Sequence, residues 1–295
     1  MTVNFKVVTR IIGILLLVLG FSLIPSLVVA LIYREVESIP AFVFVIVPCF
    51  ILGLLMTKHL DASMSKMRTR DGFLVVALCW LVASFVGCLP FYISGSIPNL
   101  MECFFESASG FTTTGSTILT EIESLPRSIL FWRSFTHWLG GMGVIVLIMA
   151  IFSSLGVNGQ VIASAETPGP TLDKLTAKFS DTALNLYLLY MLFTAVETCL
   201  LCLGGMNLYD ALVHSFGTVG TGGFSSYNAS IAQFTSPYIQ WVIFAFMVLC
   251  GINFNLFFVL QKRGLKSMMK DVELRFYLIL IGITGFLIFM NLMQT

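Results

Sequence analysis

Ser107-Ala108-Ser109-Gly110-Phe111-Thr112-Thr113-Thr114-Gly115-Ser116-Thr117 lies between two long apolar runs. An altered copy, His214-Ser215-Phe216-Gly217-Thr218-Val219-Gly220-Thr221-Gly222-Gly223-Phe224, lies between two more. Each carries a Thr-Gly pair, Thr114-Gly115 and Thr221-Gly222. A polar, glycine-bearing loop at membrane depth is tolerated only where it is buried in protein or lines a watery path. Two copies in one membrane context argue against a pair of plain outer turns.

Composition supports the membrane setting. Hydrophobic residues make up 57% of the 295-residue chain and charged residues 11%, against roughly 45–50% and about 25% in soluble domains. Mean hydropathy is +0.95. The formal net charge of +1 leaves no basic footprint for nucleic acid. The expected fold is an all-α integral membrane protein. Seven stretches are long enough to span, at about 11–33, 39–58, 72–93, 128–152, 182–204, 237–260 and 275–294. Pro25 and Pro48 fall inside two of them and are expected to kink them. Lys6 and Arg10 precede the first run, which reads as a span and not as a cleavable leader.

Two shorter apolar pieces, about 99–109 and 207–216, precede the Thr-Gly loops and read as re-entrant half-helices. Asn99-Leu100 and Asn207-Leu208 open them, and Glu102 and Asp210 follow three residues after each Asn. Carboxylates there favour the positive end of a helix dipole. With the N-terminus inside, only Arg34, Arg127 and Arg133 of the sixteen Lys and Arg residues fall outside. That is the positive-inside bias, and it places both loops on the outer face. The boundaries follow: two N-terminal helices over 1–70, a first helix–loop–helix repeat over 71–160, a second over 161–270, and the start of a third over 271–295.

The chemistry of the loops suits a monovalent cation, with potassium favoured. A cation leaving water needs oxygens to replace its hydration shell, and backbone carbonyls supply them without a fixed charge that traps the ion. Gly115, Gly220 and Gly222 are expected to take the conformations open mainly to glycine. Glu102, Glu106 and Asp210 are candidates for enriching cations at the outer mouth, and Arg133 is expected to snorkel or pair with an acid such as Glu106. His137 and His214 are considered as proton-handling groups, with His214 favoured as a partner of groups behind its loop. Gly140-Gly141-Met142-Gly143 favours close helix packing over a hinge.

Other classes fit poorly. The seven cysteines read as small packing residues, including the Cys199-x-x-Cys202 pair. An intramembrane enzyme needs H-E-x-x-H, a serine turn or paired aspartates, and none occurs in the sequence; no catalytic residues and no cofactor are expected.

The strings SASGFTTTGST (107–117), HWLGGMGVIVL (137–147), AETPGP (165–170), VHSFGTVGTGGFSS (213–226) and NFNLFFVLQKRGLKSMMKDVELRF (253–276) resemble the Trk/Ktr/HKT superfamily of potassium transporters. The bacterial TrkH/TrkG type is most similar. The resemblance implies four helix–loop–helix repeats around one pore, each giving one filter loop. It implies potassium-coordinating carbonyls at Thr112, Thr113, Thr114 and Gly115, and at Val219, Gly220, Thr221 and Gly222. Glycine at the filter position goes with preference for potassium over sodium. It further implies a cytosolic nucleotide-binding regulatory subunit on the inner face, which includes the 153–180 loop, and residence in the cell inner membrane. Only two repeats are complete here. Either the chain is shortened relative to the family, which the break within a repeat favours, or two copies form a homodimer that supplies four loops. The competing functional reading is a non-conducting remnant that modulates a full-length relative.

Overall fold

The computed structural model describes residues 5–58, 69–143 and 179–293. The chain divides into two compact units, Met1–Ile243 and Phe244–Thr295. Every regular element among the described residues is helical.

In the first unit, α1 (Phe5–Ile32) and α2 (Ser38–Lys58) form an antiparallel pair. Small residues set their approach: a Cβ on Gly13 would lie 3.2 Å from the Gly53 carbonyl oxygen, and one on Gly53 would lie 2.8 Å from that of Gly13. Close contact of this kind replaces the hydrophobic drive that lipid cannot supply. Phe21 meets Phe50 edge-on at 4.8 Å higher up the pair. Neither Pro25 nor Pro48 ends its helix.

α3 (Thr69–Ile93), α4 (Leu100–Phe111) and α5 (Arg127–Gly141) make the first repeat. α4 is a 12-residue helix, about 18 Å long, too short for a hydrocarbon core of about 30 Å. α6 (Phe179–Leu203), α7 (Leu208–Val219) and α8 (Pro237–Cys250) repeat the pattern, with α7 again 12 residues long. α5 ends at Gly141, with Met142 as its cap, and residues 144–152 of the expected 128–152 span lie outside the described residues. α5 packs against both half-helices, while α1 lies against α3 and α5. The Trp132 indole donates to the Gly87 carbonyl at 2.9 Å, joining α5 to α3 inside a core that includes Phe91, Cys103 and Phe111.

The second unit contains the end of α8, α9 (Asn255–Arg263), a short turn of helix α10 (Leu265–Met268) and α11 (Val272–Leu292). A single span over 237–260 is not what forms. The path bends by 89° between Cys250 and Asn255. The Tyr277 hydroxyl donates to the Val248 carbonyl at 3.2 Å beside Gly251, where a Cβ would strike the Tyr277 ring. Five described helices are long and apolar enough to cross a membrane, or six if the bent pair counts as one. α11 starts on an Asp271 cap, with Leu274 N donating to Asp271 Oδ1 at 3.0 Å.

Candidate functional site

Each half-helix begins on an asparagine. Asn99 Oδ1 accepts from Met101 N at 2.9 Å, and Asn207 Oδ1 accepts from Asp210 N at 2.9 Å. Each caps one orphan amide of its first turn. The two helices also end alike. Thr112 N donates to Ala108 O, Thr113 N to Gly110 O and Thr114 N to Ser109 O, at 2.9, 3.1 and 3.0 Å. Gly220 N donates to Phe216 O, Thr221 N to Thr218 O and Gly222 N to Gly217 O, at 3.0, 3.0 and 2.9 Å. This repeated set satisfies the last carbonyls of both half-helices.

The ladder fixes the register between repeats, and it corrects the one read from the Thr-Gly letters. Thr112 matches Gly220, Thr113 matches Thr221, and Gly115 matches Gly223 instead of Gly222. Backbone angles agree: φ is 55° at Thr113 and 57° at Thr221, 74° at Gly115 and 91° at Gly223. Gly220 is an ordinary right-handed cap with φ −71°, and Gly222 also stays outside the left-handed region. The expectation that those two glycines carry the unusual conformations therefore fails. Val219 is the buried last residue of α7 and not part of the loop. Gly223 is the residue that letter matching misses. Its signal was present in the sequence, because Asn99/Asn207 and Glu102/Asp210 share the same offset as Gly115/Gly223.

A β-branched residue in the left-handed region costs on the order of 1–3 kcal/mol and persists only where its surroundings over-determine it. Here the hydrogen-bonded ladder does so. In the first loop, Thr112 Oγ1 donates to Ala108 O at 2.7 Å and pairs with Thr114 Oγ1 at 2.8 Å. Ser109 Oγ donates to Ser116 O at 2.6 Å, so the returning strand is held from behind.

The two loops are neighbours. A Cβ on Gly115 would overlap the Gly222 carbonyl oxygen, and one on Gly222 would overlap the His137 ring. α5 is the wedge between them: Gly140 abuts the Phe111 carbonyl at the end of α4, and a Cβ on Gly141 would lie 2.7 Å from Gly220 Cα at the end of α7. Close packing is thus the role of the first two glycines of that motif. His137 Nδ1 donates to Gly110 O at 2.8 Å, and its ring stacks on Phe224 at 3.9 Å.

Behind the loops lie two of the three acids expected at the mouth, Glu106 and Asp210. Glu106 is 1% exposed and accepts from Arg133 Nε at 2.6 Å, from Thr117 Oγ1 at 2.8 Å and from Ile118 N at 3.1 Å. Arg133, also 1% exposed, donates from Nη1 to Ser225 O at 3.1 Å and lies over the Phe224 ring. One buried ion pair therefore pins the return of the first loop to that of the second. In the second repeat His214 and Asp210 do the equivalent work. His214 Nδ1 donates to Asp210 O at 2.8 Å, and Nε2 pairs with the Ser225 hydroxyl at 2.9 Å. Asp210 accepts from Ser226 Oγ at 3.0 Å, from Tyr227 Oη at 2.8 Å and from Asn207 Nδ2 at 2.6 Å. Burial first, and the Asp210 carboxylate second, push the Tyr227 phenol up to about 12, so it remains a donor at neutral pH. Glu106 and Asp210 are braces and do not face the mouth. Glu102 alone of the three is exposed.

Over residues 38–294 the sequence matches the family TrkH, Cation transport protein. This chain belongs to that family. Among its relatives, the Trk system potassium uptake protein TrkH of Escherichia coli (strain K12) is 42% identical over 280 residues, covering 93% of this chain and 57% of that protein. The Trk system potassium uptake protein TrkG of the same organism is 36% identical, covering 95% and 58%. The crystal structure of the potassium transporter TrkH from Vibrio parahaemolyticus superposes with a TM-score of 0.79 at 33% identity, over 94% of this chain and 56% of that one. This TrkH-family chain thus spans a little over half the length of the relatives it matches. It is a multi-pass membrane protein with the family's helical fold.

Proposed function

We propose that this chain contributes two filter loops to a potassium pathway across the cell inner membrane. The observation that carries the reading is the pairing of two identically terminated half-helices whose loops meet at Gly115 and Gly222. The negative ends of both helix dipoles come together there, which lowers the energy of a cation between them. The ion-facing oxygens belong to backbone of Thr112, Thr113, Thr114 and Gly115 and of Gly220, Thr221, Gly222 and Gly223. That set shifts the second loop by one residue from the sequence-based expectation. Thr112, Thr114, Thr221 and Gly223 are exposed, as an ion-facing surface requires. The chain works as a transporter subunit and not as an enzyme, with potassium as its cargo.

Residues 71–160 and 161–270 act as repeats, with 1–70 as an N-terminal helix pair and 271–295 opening a third. Two loops enclose half of an ion, and a second copy in a homodimer is one source of the loops that complete the ring. The positive-inside charge bias supports a cytoplasmic N-terminus. It also supports docking of a nucleotide-binding regulatory subunit on that basic inner face. Purified chain reconstituted into liposomes is expected to take up rubidium, with potassium competing and sodium not. Uptake that sodium suppresses as well as potassium does would refute the filter.

A further inference from the structure

α5, the wedge between the two loops, has no acid in its first turn and no side-chain cap of its own. Of its opening positions, Pro126 carries no N–H, and Ile129 N donates to Pro126 O at 3.1 Å. Arg127 N and Ser128 N precede the first acceptor the helix can offer them. Both are met from elsewhere in the chain. Glu35, in the turn between α1 and α2, accepts from Arg127 N at 2.6 Å and from Ser128 N at 3.1 Å. The Ser128 hydroxyl donates to the same carboxylate. A charged acceptor on these amides also meets the positive end of the α5 dipole.

The turn is shaped to deliver that carboxylate. Arg34 sits in the left-handed region at φ 56°, and Glu35 N donates to Ala30 O at 2.9 Å. Such a conformation is strained for a residue other than glycine and persists where its surroundings fix it. Tyr33 presents its ring to the Arg127 guanidinium at 4.5 Å. Tyr209, in the first turn of α7, donates from its hydroxyl to Arg127 O at 2.8 Å. The N-terminal helix pair, α5 and α7 therefore meet where α5 begins. Val29 of α1 adds an apolar contact to the cluster of Phe131, Val213 and Phe216 that joins α5 to α7.

The far end of α5 has no slack. His137, about 15 Å along the helix from Arg127, bonds Gly110 O, and its ring lies against Gly222. Gly140 and Gly141 leave no room for a methyl group against Phe111 and Gly220. A helix of about four turns moves as one piece, so a shift at Arg127 arrives at both loops. We propose that Glu35 is a positioning residue for both filter loops: it is the cap of α5, supplied by the N-terminal helix pair, and it sets how far α5 is seated between the half-helices. This rests on the filter reading given above. It makes a helix pair outside the two repeats part of ion selectivity.

Hydrogen exchange of the full chain in lipid reads the cap and the loops. Competition by sodium and potassium for rubidium uptake, with the same protein in liposomes, reads the filter. Glu35→Ala is expected to speed exchange at Arg127 and Ser128, and at the ladder amides of 112–114 and 220–222, by on the order of tenfold. Its preference for potassium over sodium is expected to fall by about as much. Pro126→Asp added to Glu35→Ala gives α5 a cap from its own chain segment and is expected to restore all three readings. Glu35→Gln keeps one acceptor oxygen and is expected to fall between wild type and the alanine variant. Exchange that quickens at Arg127 and Ser128 alone, or by one common factor that includes α3, would overturn the proposal. So would an unchanged ion preference in Glu35→Ala, or a double variant that folds and exchanges no better than Glu35→Ala. A wild-type chain that does not tell potassium from sodium, while Glu35→Ala still loosens both ladders, would instead sink the filter reading and leave the positioning of the loops standing.

Discussion

Gly115→Ser is expected to lower the preference for potassium over sodium by about a hundredfold in a conducting assembly, taking 1.4 kcal/mol per factor of ten. Two costs combine. A side chain at φ 74° is strained by about 1–2 kcal/mol, and its Cβ would occupy the place of the Gly222 carbonyl oxygen. Backbone cannot swing aside as a flexible side chain does, so an oxygen of the second loop must move. Gly223→Ser separates these terms. Its φ of 91° carries the same conformational cost, but no heavy atom lies within 4 Å of a Cβ there. A milder loss, roughly tenfold, is expected for that variant. Flux ratios for potassium and sodium in the two variants test the register directly. Equal effects, or a larger one at Gly223, would mean that the contact between the loops is not what shapes them.

The second large effect is on stability. Arg133→Met leaves Glu106 buried and stripped of its 2.6 Å partner, and breaking such a pair costs about 3–5 kcal/mol. It also releases the Ser225 carbonyl, so both loop returns loosen together. Glu106→Gln keeps one acceptor oxygen, for Thr117 or for Ile118, and leaves Arg133 on Ser225 O and the Phe224 face, so it should cost less. The double change Glu106→Gln with Arg133→Met should recover part of the loss, because no unpaired charge remains. Unfolding in detergent across this double-mutant cycle measures the coupling. A double variant no more stable than Arg133→Met alone would show that the ion pair is not the tie between repeats.

Five of the seven expected spans and both half-helices were legible because hydropathy and length are written directly into the sequence. The Asn caps, the Arg133–Glu106 pair and the engagement of His214 were legible for a related reason, since each follows from residue type and helix position. Three features were not. The register of the second loop was hidden because Thr221-Gly222-Gly223 offers two glycines to one in the first loop, and the hydrogen-bonded helix end decides between them. Glu106 and Asp210 looked like mouth charges because burial at a half-helix is a matter of what folds over it. The bend after Cys250 lay within an apolar run, where Gly251-Ile252-Asn253 interrupts the helix without interrupting the hydropathy.

Anomalous scattering from rubidium in crystals of the full chain examines the ion-binding claim most directly. A peak is expected in direct contact with backbone oxygens of both 112–115 and 220–223, replaceable by potassium and not by sodium. Ordered loops with no peak between them, or a peak held instead by the carboxylates of the outer surface, would show that these oxygens do not stand in for water.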